Sequence, residues 1–598
     1  MHNNFFISKR SLMTRFFFLL FILSLATELI AQGVSSNPWK DISEYSISTK
    51  GTRYIIPKKY RTINIDSVKV INILKLTSTE NTNAAINNKA ILTIPFPDGT
   101  NQDFSLIESS IMEPGLAAKF PELKTYIIQG VDNSKILSGR IDYSPLGFHA
   151  LIFTAEGTVY IDPYKMGDNH NYISYYQKVF IKLNPPVQDQ PCVVDNPESR
   201  AEIEKILSSG NYLLSGNQLR TYRLALAADA EYTTFYGGTV SGAMNGIVTT
   251  MNRVDAVYEK EVAIRMILVA NDDQIIYTNS ATDPYTNTNG SKMLTQNQTT
   301  CDNIIGSANY DIGHVFSTGG GGIAYLGCVC ISGSKAGGVT GGPSPIGDPF
   351  DIDYVAHEMG HEFGGNHTFN STSSNCGSGN RASTAAYEPG SGTTIMAYAG
   401  ICSPDDIQPH SDAYFHVKNI DEIIAYTNTG SGNNCPVTTS SGNTAPVVTV
   451  PAGGWTIPIS TPFSLTGSAI DANGDVLTYC WEEFDLGPAG TPNAPSGNAP
   501  IFRSFTPVIS PTRIFPQVSD LLNNVQTLGE ILPTYTRSLV FRLITNLVGE
   551  VSVTTPLHLM LQTLRVHLQL QTQIQMFPGL LFPPSQLPGI LQIQKHPL

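Results

Sequence analysis

The sequence predicts a multidomain chain: a β-rich N-terminal region, a central α/β domain built around one amphipathic helix, and a C-terminal β-sandwich. Three observations lead there. With 598 residues the chain is long enough for several domains, each with its own core. Alternating apolar runs between Pro, Gly and Asn turns mark both flanks, as in Val68 to Leu74, Thr158 to Ile161 and Pro446 to Val450. Between the flanks, Ile352, Val355, Met359 and Phe363 recur at helical spacing.

In chain order, Lys9, Arg10 and Arg15 precede the apolar run Phe16 to Ala26, and Ala31 before Gln32 offers a cleavage point. This is the layout of a signal peptide over residues 1–31. The apolar run is too short to span a bilayer comfortably, and no later segment has the apolar length of a membrane helix. An exported chain without an integral membrane segment is expected. Residues 32–218 are expected to form the β-rich domain. The central domain, residues 219–436, is expected to begin with a strand from Tyr222 to Ala227, continue through a helix over 239–260, and return as strands from Val262 to Val269 and from Tyr310 to Ser317.

The central helix is expected to start with Asp348 as N-cap and Pro349 at the first helical position, with Asp351 and Asp353 in the first turn. It leads into His357, Glu358, His361, Gly364 and His367, spaced as H-E-x-x-H-x-x-G-x-x-H. Residues four apart share a helix face, so His357 and His361 can present their imidazoles to one metal ion while Glu358 stands beside it. Gly364 lets the backbone turn at positive φ so that His367 supplies a third ligand. Three histidines leave a fourth position of a zinc site open, the catalytic arrangement, and Glu358 is the natural general base. The apolar stripe lies opposite the histidines, so one face of the helix is expected in a core and the other on a cleft.

On these residues the chain resembles the metzincin peptidases. Their second signature, a methionine turn, has its counterpart in Thr394 to Tyr398, and the resemblance implies that Met396 packs beneath the three histidines without being a ligand. Tyr398 resembles the tyrosine that astacins and serralysins use as an extra ligand or transition-state donor; an ordinary pocket-wall aromatic is the other reading. Tyr387 to Met396 and Phe415-His416 bring the chain closer still to secreted bacterial reprolysin-like metallopeptidases, over roughly residues 40–545. That resemblance implies that the N-terminal domain is a propeptide; a permanent β-domain is the alternative. Cys192 could then hold zinc as a cysteine switch, or be a disulfide partner or a spectator thiol. Activation cleavage is expected within residues 195–220, which contain Arg200, Lys205 and Arg220. Gly319 to Gly322 with Ile323, Ala324 and Tyr325 resemble the edge strand that aligns an extended substrate, with a flexible loop as the alternative.

Cys301, Cys328, Cys330, Cys376, Cys402 and Cys435 are consistent with up to three disulfides, and His314, His410 and His416 are expected to be structural or pocket-lining. A linker over 437–445 leads to the sandwich, residues 446–545, of immunoglobulin-like or fibronectin-like type, expected to serve attachment or packing. Within it, Asp471 to Asp475 reads as an Asn-Gly hairpin turn, with Ca2+ binding as the other possibility. Residues 551–598 contain no Asp, Glu, Asn, Ala, Tyr, Trp or Cys, a composition foreign to globular domains; a reading-frame shift near 545–550 or a disordered tail would produce it. Net charge −13 with no basic patch argues against nucleic-acid partners. The expected function is a secreted zinc endopeptidase acting on proteins or peptides. The alternative is a surface adhesion or binding protein with a latent peptidase domain.

Overall fold

The structure, a computed structural model, describes residues 37–80, 82, 90–132, 138–180, 192–209, 216–319, 321–377 and 379–548, with the backbone of 565–571 and 591–592. The expected signal peptide and most of residues 551–598 lie outside the described residues.

Nine strands form the N-terminal sheet: β1 (Trp39–Asp41), β2 (Arg61–Ile65), β3 (Ala90–Pro95), β4 (Asn101–Glu108), β5 (Lys124–Gly130), β6 (Ser138–Ser144), β7 (Gly147–Phe153), β8 (Val159–Pro163) and β9 (Asn171–Tyr176). Their order is β1-β2-β9-β8-β7-β6-β5-β4-β3, with antiparallel pairing throughout. Period-two alternation serves two cores. Val159 and Ile161 join the core of this domain, whereas Tyr160 between them joins the core of the next one. One expected strand is a helix. Residues Ser67–Leu74 are α-helical because Asp66 caps Lys69 N and because Val70 and Leu74, one turn apart, are the residues that become buried.

The central sheet runs β10 (Val193–Val194), β14 (Gly322–Tyr325), β15 (Gly338–Gly341), β13 (Ile312–Ser317), β11 (Gln218–Ala228) and β12 (Ile264–Leu268). The strands β12, β11, β13 and β15 are parallel, and β14 is antiparallel to β15. The expected linker begins instead as strand β16 (Val437–Ser440), antiparallel to the start of β11. A disulfide between Cys330 and Cys435 holds the chain there, and Val-Thr-Thr suits a strand. That bond closes a loop of 105 residues, a constraint on the unfolded chain of about 4–5 kcal/mol.

Two disulfides form among the described residues, within the expected limit of three. Cys376 pairs with Cys402, while Cys301 and Cys328 are buried thiols on separate elements, directed at Asn297 and Glu362 respectively. Between the two sheets lies α1 (Val240–Val262), capped by the Thr239 hydroxyl at Gly242 N and buried on nearly every side. Its Arg253 bridges Asp162 of β8 and Asp351 of the central helix at 2.6 and 3.0 Å, and Arg140 of β6 pairs with its Glu259 at 2.9 Å. Removing one partner of such a buried pair costs about 3–5 kcal/mol, so these pairs fix the register of the N-terminal sheet on the central domain.

The C-terminal strands form three small sheets around Phe463, Leu465, Trp481, Phe502, Phe515 and Phe541. The strand Arg537–Val548 runs through the expected boundary at 545, and the backbone of 565–571 pairs with it. Asp471 to Asp475 is a turn in which Asp471 accepts from Asn473 N and Asp475 N, but it is not a hairpin. It joins Ser468–Ile470 to Val476–Glu483, which belong to different sheets.

Candidate metal centre and active site

The helical segment starts one residue earlier than expected. Gly347, at φ 76°, is the N-cap, and the Asp348 carboxylate accepts instead from Tyr160 Oη at 2.5 Å. A wide helical turn over Asp351–Ala356 feeds directly into α2 (His357–Glu362). Ile352, Val355, Met359 and Phe363 are fully buried, as the stripe requires. Gly364 has φ 95° and ends the helix, and Gly365 N returns to Gly360 O at 2.8 Å, directing the chain toward His367.

The three histidines meet at one point. Their Nε2 atoms are 3.1–3.2 Å apart. Each Nδ1–H donates to a backbone carbonyl: His357 to Ile395 O at 2.7 Å, His361 to Gly365 O at 2.7 Å and His367 to Asn380 O at 2.5 Å. These bonds fix the tautomer, so all three Nε2 lone pairs face one another. Burial and the neighbouring imidazoles push His361 and His367 well below the ordinary histidine range, which keeps the rings neutral. Converging lone pairs in a dry site repel unless a cation sits between them. Zinc–nitrogen bonds of about 2.0–2.1 Å place tetrahedral corners about 3.3–3.4 Å apart, so the site fits zinc.

The fourth corner is a thiol. Cys192 Sγ lies 3.5, 3.3 and 2.9 Å from the Nε2 atoms of His357, His361 and His367. Burial, and then the Glu358 carboxylate, raise this thiol well above its ordinary value. A divalent cation is the charge that would reverse that shift. Cys192 N donates to Asn380 Oδ1 at 3.3 Å, and Cys192 O accepts from Ala324 N at 2.8 Å. The following residues, β10, run parallel to β14, with Val193 opposite Ala324 and Val194 opposite Tyr325. The face of α2 expected to line a cleft is therefore covered by the chain itself.

Glu358 is buried, and burial raises its carboxyl well above the usual range. Its Oε2 has no hydrogen-bond partner among the described residues. A Cβ at Gly322 would stand 1.9 Å from Glu358 Oε1, so only glycine there leaves the carboxylate its place. Beneath the helix, a Cβ at Gly360 would stand 2.3 Å from Met396 Sδ, so the methionine packs directly against the backbone between His357 and His361. The Tyr398 ring lies 4.7 Å from that of His367 and 5.5 Å from that of His357, and its buried hydroxyl has no hydrogen-bond partner among the described residues.

The other histidines have protein partners. His314 bonds Glu362 Oε2 at 2.8 Å and Thr340 Oγ1 at 2.9 Å, His410 bonds Asp353 Oδ2 at 2.8 Å, and His416 faces Glu482 at 3.5 Å. Sequence reasoning missed Asn380 and Glu388. Asn380 touches both Cys192 and His367 through a loop whose path no local spacing reveals. Glu388 lies inside the run from Tyr387 to Met396, where a carboxylate five and six residues before two threonines was the available signal.

Residues 218–426 match the family described as metallo-peptidase family M12B, reprolysin-like. That segment is a reprolysin-like metallopeptidase domain. No curated protein matches the chain. The reprolysin-like domain contains the three histidines, Glu358, Met396 and Tyr398, whereas Cys192 comes from the chain before it.

Proposed function

We propose that the chain is the latent form of a secreted zinc endopeptidase. The observation that carries this reading is the convergence of three imidazoles and the Cys192 thiol on one point beside the buried Glu358, whose Oε2 has no partner among the described residues. His357, His361 and His367 would hold the zinc, which when bound supplies Lewis acidity toward a peptide carbonyl.

The chain's own residues do the rest. Glu358, whose Oε2 has no partner among the described residues, takes the proton from the attacking water and passes it to the leaving nitrogen. Tyr398, whose ring lies beside that of His367, would donate to the developing oxyanion once Cys192 withdraws. The strand β14 aligns an extended peptide through its backbone, the role β10 pre-empts in this form. The N-terminal domain acts as a propeptide with Cys192 as its switch, and the C-terminal sheets form a sandwich that packs on the peptidase. Asp471 Oδ1 accepts from Asn473 N and Asp475 N of its own turn, and Ca2+ binding at Asp471 to Asp475 is the lesser reading beside that turn.

The test is casein cleavage by protein freed of its N-terminal region, with and without a zinc chelator, for wild type and Glu358→Ala. The expected outcome is one zinc in each and chelator-sensitive cleavage in wild type, with the variant slower by about 10²–10⁴-fold. A zinc-loaded variant cleaving at the wild-type rate would remove Glu358 from the mechanism. Zinc without cleavage in either would favour a binding protein with a permanently latent domain.

A further inference from the structure

Glu388 is 1% exposed, and no basic side chain lies within ion-pair distance of it among the described residues. It is instead saturated with donors. Its Oε1 accepts from Thr393 N at 2.8 Å, Thr394 N at 3.2 Å and Thr393 Oγ1 at 3.0 Å, and its Oε2 accepts from Thr368 Oγ1 and Thr394 Oγ1, both at 2.5 Å. A carboxylate has about four lone-pair sites, so this one is fully used.

The donors belong to two segments that hold the metal centre. Thr368 follows the ligand His367, and Thr394 precedes Ile395, whose carbonyl fixes the ring of His357. Backbone bonds run alongside, from Glu388 N to Thr368 O at 2.8 Å and from Thr368 N to Met396 O at 3.2 Å. We propose that Glu388 is a positioning residue of the metal centre: its carboxylate locks the segment carrying His367 to the turn that orients His357 and carries Met396. This rests on the reading of the three histidines as a zinc site.

Ala at 388 would leave four buried donors unmet, at about 1–3 kcal/mol each, and would leave the Thr393 hydroxyl only Ser504 O at 3.4 Å. Gln keeps an oxygen for the two backbone N–H groups, and its amide donates to threonine hydroxyls that can rotate to accept. Gln should therefore rescue.

The test uses the full chain as wild type, Glu388→Ala, Glu388→Gln and Thr394→Val. Zinc affinity is read by chelator competition, coordination by the visible spectrum of the Co2+-loaded protein, and fold by the melting temperature of the metal-free form. The expected result is a zinc affinity lowered about 10–100-fold in Glu388→Ala, with a shifted Co2+ spectrum, and near-wild-type behaviour in Glu388→Gln. Should Glu388→Ala fail to fold, Thr394→Val carries the comparison, with zinc affinity lowered about fivefold, the worth of one hydrogen bond. A lower metal-free melting temperature with wild-type zinc affinity and Co2+ spectrum would overturn the positioning role. Zinc uptake by no variant, wild type included, would overturn the metal-site reading and this role with it.

Discussion

Gly322 faces Glu358 at a distance no other residue can match, and single atoms of this kind govern the site. Gly322→Ala is expected to swing the Glu358 carboxylate aside, retain zinc, and lower kcat of the activated protein about 100-fold, the cost of an error near 1 Å in a catalytic group. Steady-state kinetics with parallel metal analysis check this. His361→Ala should lose both metal and activity, because two imidazoles cannot enclose the ion. At this scale the sequence was most legible where the constraint is local. The i, i+4 histidines and the turn at Gly364 follow from backbone geometry alone. Ile395 O, Asn380 O and Glu388 were not legible, because what makes them matter is a partner brought by the tertiary fold.

Among elements, those with both a cap and a long period were readable. The helix α1 was expected over 239–260 and spans Val240–Val262, with Thr239 capping it. The eight-residue helix at Ser67–Leu74 was mistaken for a strand, since its apolar residues satisfy both periods and only the Asp66 cap decides. Asp229 caps another short helix at Ala230–Phe235 through Tyr232 N, and burial pushes its carboxyl up to about 7. The ordinary value is 3.8, so between about pH 4 and 7 the folded chain holds a proton that the unfolded chain has released. The contribution of Asp229 is therefore full below about pH 4 and is lost as pH rises through about 7. Asp229→Asn, which keeps an acceptor for Tyr232 N, should flatten the fall of unfolding free energy over that range, by on the order of a few kcal/mol. A wild-type slope in the variant would show that Asp229 titrates normally.

Across the whole molecule, both flanking domains grip the peptidase. On the N-terminal side the buried Arg140–Glu259 and Arg253–Asp162 pairs seat the sheet on α1. On the C-terminal side Phe484 stacks on Tyr387 at 4.1 Å, Glu482 Oε2 accepts from Val417 N at 2.7 Å, and Tyr414 Oη donates to Ser504 Oγ at 2.9 Å. Of the two roles expected for the C-terminal module, packing has these contacts behind it. Ending the chain at residue 445 should lower the melting temperature of the remaining protein by more than about 5 °C, since several buried polar groups lose their partners. A β-rich N-terminal region and C-terminal strands flanking the central domain were legible from alternation, but docking was not. Buried arginines and glutamates look like surface residues until their partners, about a hundred positions away, are brought beside them.

The latent zinc site is tested most directly by X-ray absorption at the zinc edge on the purified full chain, wild type against Cys192→Ala. The expected result is one zinc with three nitrogen neighbours and one sulfur at about 2.3 Å in wild type, and only light-atom neighbours in the variant, which alone cleaves casein. Zinc without a sulfur neighbour in wild type would contradict the thiol lock, and absence of zinc would contradict the metal centre itself.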